Sequence, residues 1–335
     1  MAGIGAIRRE APRFAGLGTD LVAHLKDESH VSKVSTYELQ RKLYVRSKGR
    51  SRSVWSAGFG AIRPVRWRSL PDPLGVGPAL ERDGCAIVPD FLDPGRVEAL
   101  RTYFEQQPGE MRGRETPPGT RVGDTSGGLR FDFSLRTFLG ADGILDIATD
   151  PRLVDVAARY LRCTPVFTGA RAYWSLSDPD ANEKDFSHAA QRFHFDAEWP
   201  AFIKFFIYLT DVTEENGPLS VVAGTHRSKH IWRDGRIAEG ELLDEHHLRD
   251  KERRMTGPAG TLIIADTAAF HRGVPVEGDP RLIMSFDYAV TRLGNSAARH
   301  SPQFPRDRRP PSKYKHTFDI FSSPESASGD VVSDY

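Results

Sequence analysis

A histidine and an aspartate one residue apart, His194-Phe195-Asp196, are the first positions in this 335-residue chain whose types and spacing suggest chemistry. On an extended strand, residues i and i+2 project from one face about 7 Å apart, so an imidazole and a carboxylate can lean onto a single metal ion. Joined by a second, distant histidine they make the two-histidine-one-carboxylate set of non-haem Fe(II) oxygenases, which leaves coordination positions open for reactants. The pair alone carries little weight, since 11 histidines and 27 aspartates in 335 positions give about one His-x-Asp by chance. The third ligand expected is His271, in Asp266-Thr267-Ala268-Ala269-Phe270-His271-Arg272-Gly273, which follows an apolar strand-like run and precedes a turn. Ten residues on, Arg281 opens the last strong strand pattern. An arginine facing inward on an apolar strand needs a counter-charge. A dicarboxylate co-substrate supplies one through a bidentate fork.

Strands must position such a set. Short runs of strand character at 165–176, 193–196, 202–212, 219–222, 261–265 and 282–290 are separated by Gly, Pro, Asn and Asp. Upstream, Asp93-Pro94 and Asp150-Pro151 each place an N-cap before a proline at the first helical position. They predict helices to about Gln107 and Leu161, with Val97, Leu100 and Phe104 on one apolar face and Leu153, Val156, Ala157 and Tyr160 on the other. A short helix over 80–83 and a buried strand over 85–88 precede them. Helices first and strands afterwards predict a mainly β fold with flanking helices, an antiparallel sandwich or barrel.

Three strands alternate informatively. Arg171, Tyr173 and Ser175 share one face, as do Lys204, Phe206 and Tyr208, and Arg281, Ile283 and Ser285; the opposite faces are apolar. If the apolar faces pack on helices, the mixed faces converge on a polar-lined interior. That is a pocket.

Composition sets the outer bounds. Hydrophobic residues make up 39% and charged residues 27% of the chain, which excludes wholesale disorder and fibrous repeats. No apolar run approaches the ~20 residues that cross a bilayer, and Met1 to Arg9 has no signal core. Two cysteines, Cys85 and Cys163, make neither a disulfide framework nor a cysteine-based zinc site, so the chain reads as intracellular, in the cytoplasm. The net charge of +1 hides an asymmetry: residues 1–70 carry fourteen Lys/Arg against five Asp/Glu, and the remainder 32 against 40. A basic run, Arg41, Lys42, Arg46, Lys48, Arg50 and Arg52, lacks the interleaved aromatics of a nucleic-acid arm. It reads instead as a solvated segment or one docked on the acidic domain. Residues 1–70 are expected to be a basic extension with a short helix at 36–44 and broken periodicity over 47–60, ending near Pro71-Asp72-Pro73. The catalytic domain is expected over 77–292, with loops at 108–128 and 177–190 and a solvent-facing helical insertion at 231–254. An irregular tail follows at 293–335.

In this order and spacing the motifs resemble those of the phytanoyl-CoA dioxygenase family of Fe(II)/2-oxoglutarate-dependent oxygenases. The resemblance runs from about Leu80 to Val290. It rests on Glu81-Arg82-Asp83-Gly84-Cys85-Ala86-Ile87-Val88, His194-Phe195-Asp196, Leu209-Thr210-Asp211 leading into Glu215-Asn216-Gly217-Pro218-Leu219, Gly224-Thr225-His226, His271-Arg272-Gly273 and Arg281. It implies a double-stranded β-helix (jelly roll, cupin-like) with Fe(II) on His194, Asp196 and His271. Arg281 would hold the distal carboxylate of 2-oxoglutarate, with O2 as the other co-substrate. The reaction implied is oxidation, first of all hydroxylation, of a C–H bond in a small molecule, releasing succinate and CO2.

Further residues are candidates for roles, some from the resemblance and others from the mixed strand faces. Phe206 falls where some relatives carry a tryptophan beside the co-substrate, and Tyr173 is a further co-substrate candidate. Gly273 stands where many relatives have a hydroxyl residue. Arg171, Lys204 and Tyr208 are candidate substrate contacts and suggest an anionic or carbonyl-bearing molecule. His226 is placed in a turn rather than on the metal, His188 in a loop near the site, and His246-His247 in solvent. Related iron halogenases have Ala or Gly at the position of Asp196, so the carboxylate argues for oxidation of substrate. The alternatives are a non-catalytic jelly-roll binding protein with a structural or vestigial metal site, and a metal-dependent isomerase that needs no O2.

Overall fold

Alternating side chains on the strands are realised as two antiparallel sheets facing each other across the polar interior. The computed structural model describes residues 43–125, 127–227, 240–291 and Thr317. Strands β1 (Cys85–Val88), β2 (Glu110–Met111), β3 (Arg130–Asp132), β4 (Val166–Ser175), β5 (Phe202–Tyr208), β8 (Leu262–Ala265) and β10 (Arg281–Ala289) form the larger sheet, in the order β1-β8-β5-β10-β4-β3-β2. Strands β6 (Leu219–Val222), β7 (Glu252–Met255) and β9 (His271–Gly273) form the smaller, in the order β7-β6-β9. This is the antiparallel jelly-roll arrangement with flanking helices.

Register decides what the interior contains. Because β10 lies between β4 and β5, Arg281 is opposite Ser175, Ile283 lies between Tyr173 and Tyr208, Ser285 between Arg171 and Phe206, and Asp287 opposite Lys204. The three mixed faces therefore make one continuous surface. A slip of one residue would exchange it for the apolar face. That opposite face, Ile203, Phe205, Ile207, Leu282, Met284, Phe286 and Tyr288, is fully buried in the main core. It is covered by α3 (Pro94–Gln106), α4 (Leu135–Gly140), α5 (Ile144–Ala148) and α6 (Pro151–Leu161). Each such side chain contributes about 1.5–3 kcal/mol on burial. The proline-led caps form as expected: Asp93 accepts from the Arg96 amide at 3.0 Å and Asp150 from the Arg152 amide at 2.8 Å. The short helix α2 spans Gly77–Asp83.

Several expectations need correction. Residues 47–60 are not irregular: α1 spans Ser51–Ile62. Tertiary contacts override its weak propensity, because Phe59 is buried in the main core and Arg52 reaches inward. Gly60 packs against the Arg162 carbonyl, where an added Cβ would stand 3.0 Å from the oxygen. The seam at Pro71-Asp72-Pro73 does not separate packing, since Tyr44 and Phe59 join the domain's clusters. Of the helix expected over 36–44, only residues 43 and 44 are described, and they belong to a helical turn that runs on to residue 46. The stretch expected as a strand at 193–196 is reduced to an isolated bridge between His194 and His271, after which the Asp196 amide bonds outside any ladder to Thr267 O at 2.8 Å. Within 231–254 the helical expectation fails at the end: Glu252–Met255 is strand β7, paired with β6 and edged by exposed Arg253 and Arg254. Residues 231–239 of that insertion lie outside the described residues, as do the basic residues Arg41 and Lys42. The tail 293–335 also lies outside them, save buried Thr317, whose carbonyl accepts from the Phe167 amide. The loop 108–128 carries β2, and 177–190 carries α7 (Glu183–His188). Among the described residues no helix is long and apolar enough to cross a membrane.

Arg52 shows what the basic segment does. Its Nη2 lies 2.7 Å from Asp266 Oδ2, an oxygen that also accepts from the Tyr160 hydroxyl at 2.5 Å. Burial pushes the Asp266 carboxyl up, but the Arg52 and His226 charges, together with the hydrogen bonds from Arg52 and Tyr160, outweigh it and hold the group below the ordinary aspartate range. Arg52→Ala strands a buried carboxylate and is expected to cost about 3–5 kcal/mol at pH 7 in urea unfolding. A depressed folded-state pKa stabilises above the unfolded value of about 4 and is lost as pH falls through the folded value. The deficit of the variant should therefore shrink below about pH 4.

Candidate metal centre

Two backbone hydrogen bonds bring the distant histidines together. The His194 amide donates to His271 O at 3.0 Å and the His271 amide to His194 O at 2.8 Å, so the residues face each other across a pair that exchanges both bonds. Their rings lie 4.2 Å apart. His194 Nδ1 is 2.8 Å from Arg192 O and His271 Nδ1 is 3.0 Å from Ala269 O. Carbonyls only accept, so each Nδ1 carries the proton and each Nε2 presents its lone pair inward. His194 Nε2 is 3.8 Å from Asp196 Oδ1, and His271 Nε2 is 3.6 Å from Asp196 Oδ2. One donor atom from each of the three residues lies within 4.8 Å of the other two. Ligands about 2 Å from one ion stand about 3–4 Å from each other, so the donor set fits a single divalent metal on one face.

Behind the carboxylate sits Lys204. Its Nζ donates to Asp196 Oδ2 and to Glu198 Oε2, each at 2.9 Å. Lys204, expected as a substrate contact, lines the cavity and holds its ammonium between these two acids. Burial pushes the Asp196 carboxyl up, but Lys204, then His271 and His194, outweigh burial and hold it far below the usual range. Glu198, buried beside Asp196, is pushed up by desolvation despite Lys204. Asp196 is thus an anion with one oxygen fixed by a cation. Lys204→Met should weaken metal affinity about 10–100-fold, the usual effect of losing an outer partner of a ligand, as read by metal titration.

Arg281 lines the same cavity, a space of about 150 Å³ walled by the three metal-site residues together with Tyr173, Phe206, Lys204 and Gly273. It is 3% exposed, yet among the described residues no carboxylate pairs with it. Nη1 donates to Gly217 O and Nη2 to Ser175 Oγ at 2.7 Å, while the buried Nε has no partner. A buried guanidinium without a counter-ion fits the carboxylate of a co-substrate. Ser175 is the hydroxyl that sequence reading missed; on β4 it lies opposite Arg281, so the strand alternation pointed to it. At Gly273 an added Cβ would stand 3.5 Å from Arg281 Nη2, so the glycine leaves the guanidinium room.

The remaining candidates divide. Arg171 lines the cavity but pairs with Asp287 at 2.8 Å. Tyr208 does not reach the cavity wall and is corrected as a substrate contact: its hydroxyl donates to Met255 O at 2.7 Å and accepts from the Leu219 amide at 3.0 Å. Burial pushes its pKa up to about 12. His226 is buried behind the β8 turn, near Asp266, and stands outside the metal-capable set. His188 lies on α7, where Gly113 packs against it. His247 is exposed and His246 half-buried. Two further arginines, Arg112 and Arg130, line the cavity without having been expected; they come from the polar loop region and β3.

Comparison with known proteins shows what the chain is similar to. The family model described as Phytanoyl-CoA dioxygenase (PhyH) matches residues 80–281. An ectoine dioxygenase of Stutzerimonas stutzeri (strain A1501) is 25% identical over 247 residues, covering 63% of this chain and 75% of that protein. A second, from Sphingopyxis alaskensis, is 27% identical over 228 residues, covering 62% and 66%. Among solved structures, EctD from S. alaskensis with bound Fe matches at a TM-score of 0.48 and 18% identity, over 68% of this chain and 80% of that one. A non-heme alpha ketoglutarate dependent epimerase from nogalamycin biosynthesis matches at 0.44 and 22%, over 63% and 77%. With the model match spanning most of the chain and both ends of the site within or at its limits, this chain belongs to the phytanoyl-CoA dioxygenase family.

Proposed function

We propose that His194, Asp196 and His271 hold Fe(II) and that Arg281 holds the distal carboxylate of 2-oxoglutarate, so that the enzyme oxidises, by hydroxylation, a C–H bond of a small metabolite. Family membership makes the chain an Fe(II)/2-oxoglutarate-dependent dioxygenase, an oxidoreductase that consumes O2 and releases succinate and CO2. The observation that carries the residue assignment is the convergence of the three donors, in one cavity, with a buried guanidinium that no carboxylate pairs among the described residues. Bound Fe(II) supplies the activation of O2 that couples decarboxylation of the keto acid to substrate oxidation.

The chain's own residues do the positioning. The two Nδ1–H groups fix the ring tautomers, and Lys204 keeps Asp196 ionised and oriented. Arg281, steadied by Ser175, fixes one end of the keto acid, while Phe206 and Tyr173 wall its course to the metal. Both cysteines are free and buried, in keeping with work in a reducing cytoplasm. A non-catalytic reading is not favoured, because nothing in the ligand set has been replaced.

The test is succinate formation from 2-oxoglutarate by the purified chain. Formation requiring both Fe(II) and O2 supports the reading; no succinate under any metal or gas condition contradicts it.

A further inference from the structure

The proposed function leaves unsaid what kind of molecule is oxidised. The charges lining the cavity bear on this. Around the metal, Asp196 and Glu198 are held by Lys204, and Arg281 faces the keto acid, so those groups are engaged by the reaction centre itself. Arg171 is neutralised by Asp287. A different situation holds at Asp132. Its single carboxylate binds two guanidinium groups: Arg112 Nε donates to Oδ2 at 2.7 Å, and Arg130 donates to Oδ1 through Nε at 2.9 Å and Nη2 at 2.7 Å. Among the described residues two guanidinium groups thus share one carboxylate, and Arg130 is only 6% exposed.

Geometry turns that pair toward the cavity. Arg112 and Arg130 both line it, together with the metal triad. The Arg130 guanidinium sits over the Tyr173 ring, its central carbon 3.6 Å from the ring centroid. Its Nη1 has no acceptor among the described residues. Burial first, then the neighbouring Arg130 charge, lower the Arg112 pKa against the opposing pull of Asp132. Holding like charges together costs free energy that a bound anion returns as charge-assisted hydrogen bonds.

We propose that Arg112 and Arg130 form an oxyanion-recognition site for the substrate, so that the C–H bond oxidised belongs to a small molecule carrying a carboxylate or phosphoryl group. The inference rests on the oxygenase reading above. The anion docks on the β3 side of the cavity, and the rest of the molecule extends toward the metal.

The chain loaded with Mn(II), a relaxing stand-in for Fe(II), and saturating 2-oxoglutarate is titrated with acetate, inorganic phosphate and the neutral control acetamide. Paramagnetic relaxation of the probe nuclei reports binding in the metal's cavity. Acetate or phosphate should bind while acetamide does not, and the stronger of the two names the group. Arg112→Gln and Arg130→Gln should each weaken that binding about tenfold or more, and Arg130→Lys should recover part of it. Each single change leaves Asp132 one guanidinium, so the variants should keep a cooperative thermal transition. If one does not fold, the other and Arg130→Lys carry the test. Equal binding of acetate and acetamide, no binding of either anion, or wild-type anion affinity in the folded variants would overturn the inference. Failure of the wild-type chain to take up Mn(II) would instead count against the oxygenase reading, whereas uptake without anion binding defeats only the anion site.

Discussion

Replacing His271 or His194 with alanine is expected to abolish Fe(II)-dependent succinate formation and to reduce metal affinity by well over the 10–100-fold that loss of an outer partner costs. The reason lies in how few donors there are. One atom from each of three side chains meets within 4.8 Å, and no fourth His, Cys, Asp or Glu joins them among the described residues. Removing one imidazole leaves two ligands, too few to hold a labile divalent ion at catalytic concentration. The backbone pair between His194 and His271 does not depend on the side chains, so the variants should keep their fold and unfold cooperatively. His247→Ala, which changes an exposed histidine, is the control and should behave as wild type. Equilibrium metal titration, with 2-oxoglutarate turnover on the same samples, makes the comparison. Full turnover in either metal-site variant would remove that histidine from the ligand set.

Arg281→Ala carries the second large effect. The guanidinium is buried, lacks an acidic partner among the described residues, and is steadied by Ser175 and the Gly217 carbonyl. Two charge-assisted hydrogen bonds to a carboxylate are worth about 1.5–3 kcal/mol each. The KM for 2-oxoglutarate should therefore rise about 100-fold or more, while metal affinity changes little because Arg281 is not a ligand. Arg281→Lys keeps the charge but loses the fork and should fall between. Steady-state kinetics in 2-oxoglutarate, run beside a metal titration, separates the two effects. An unchanged KM would assign the guanidinium a purely structural role.

Much of this site could be read in the amino-acid chain because period-two alternation is a local signal with a global consequence. Arg281, Ile283 and Ser285 on one face, and Lys204, Phe206 and Tyr208 on another, had to share an interior once the opposite faces were apolar, and β10 does lie beside β5. The proline-led caps at Asp93 and Asp150 marked two helices to within a residue or so for the same reason: a cap is chemistry between near neighbours. What depended on distant partners was not legible. Lys204 looked like a substrate contact because its alternation gives a face but not an occupant; only the fold shows Asp196 and Glu198 at its ammonium. Tyr208 shares that face but lies deeper, where backbone groups of β7 and β6 take its hydroxyl. Helix α1 was hidden by its glycines and serines, since its stability comes from Phe59 and Arg52 docking on the domain. Arg112 and Arg130 were hidden in a Gly/Pro-rich stretch whose short strands have no period to read.

Metal-edge anomalous diffraction from crystals of the chain loaded anaerobically with Fe(II) examines the convergence of the three ligands most directly. The account predicts one iron peak per chain, within bonding distance of His194 Nε2, His271 Nε2 and an Asp196 oxygen. A peak elsewhere, or an iron that one of these three side chains does not touch, would contradict it.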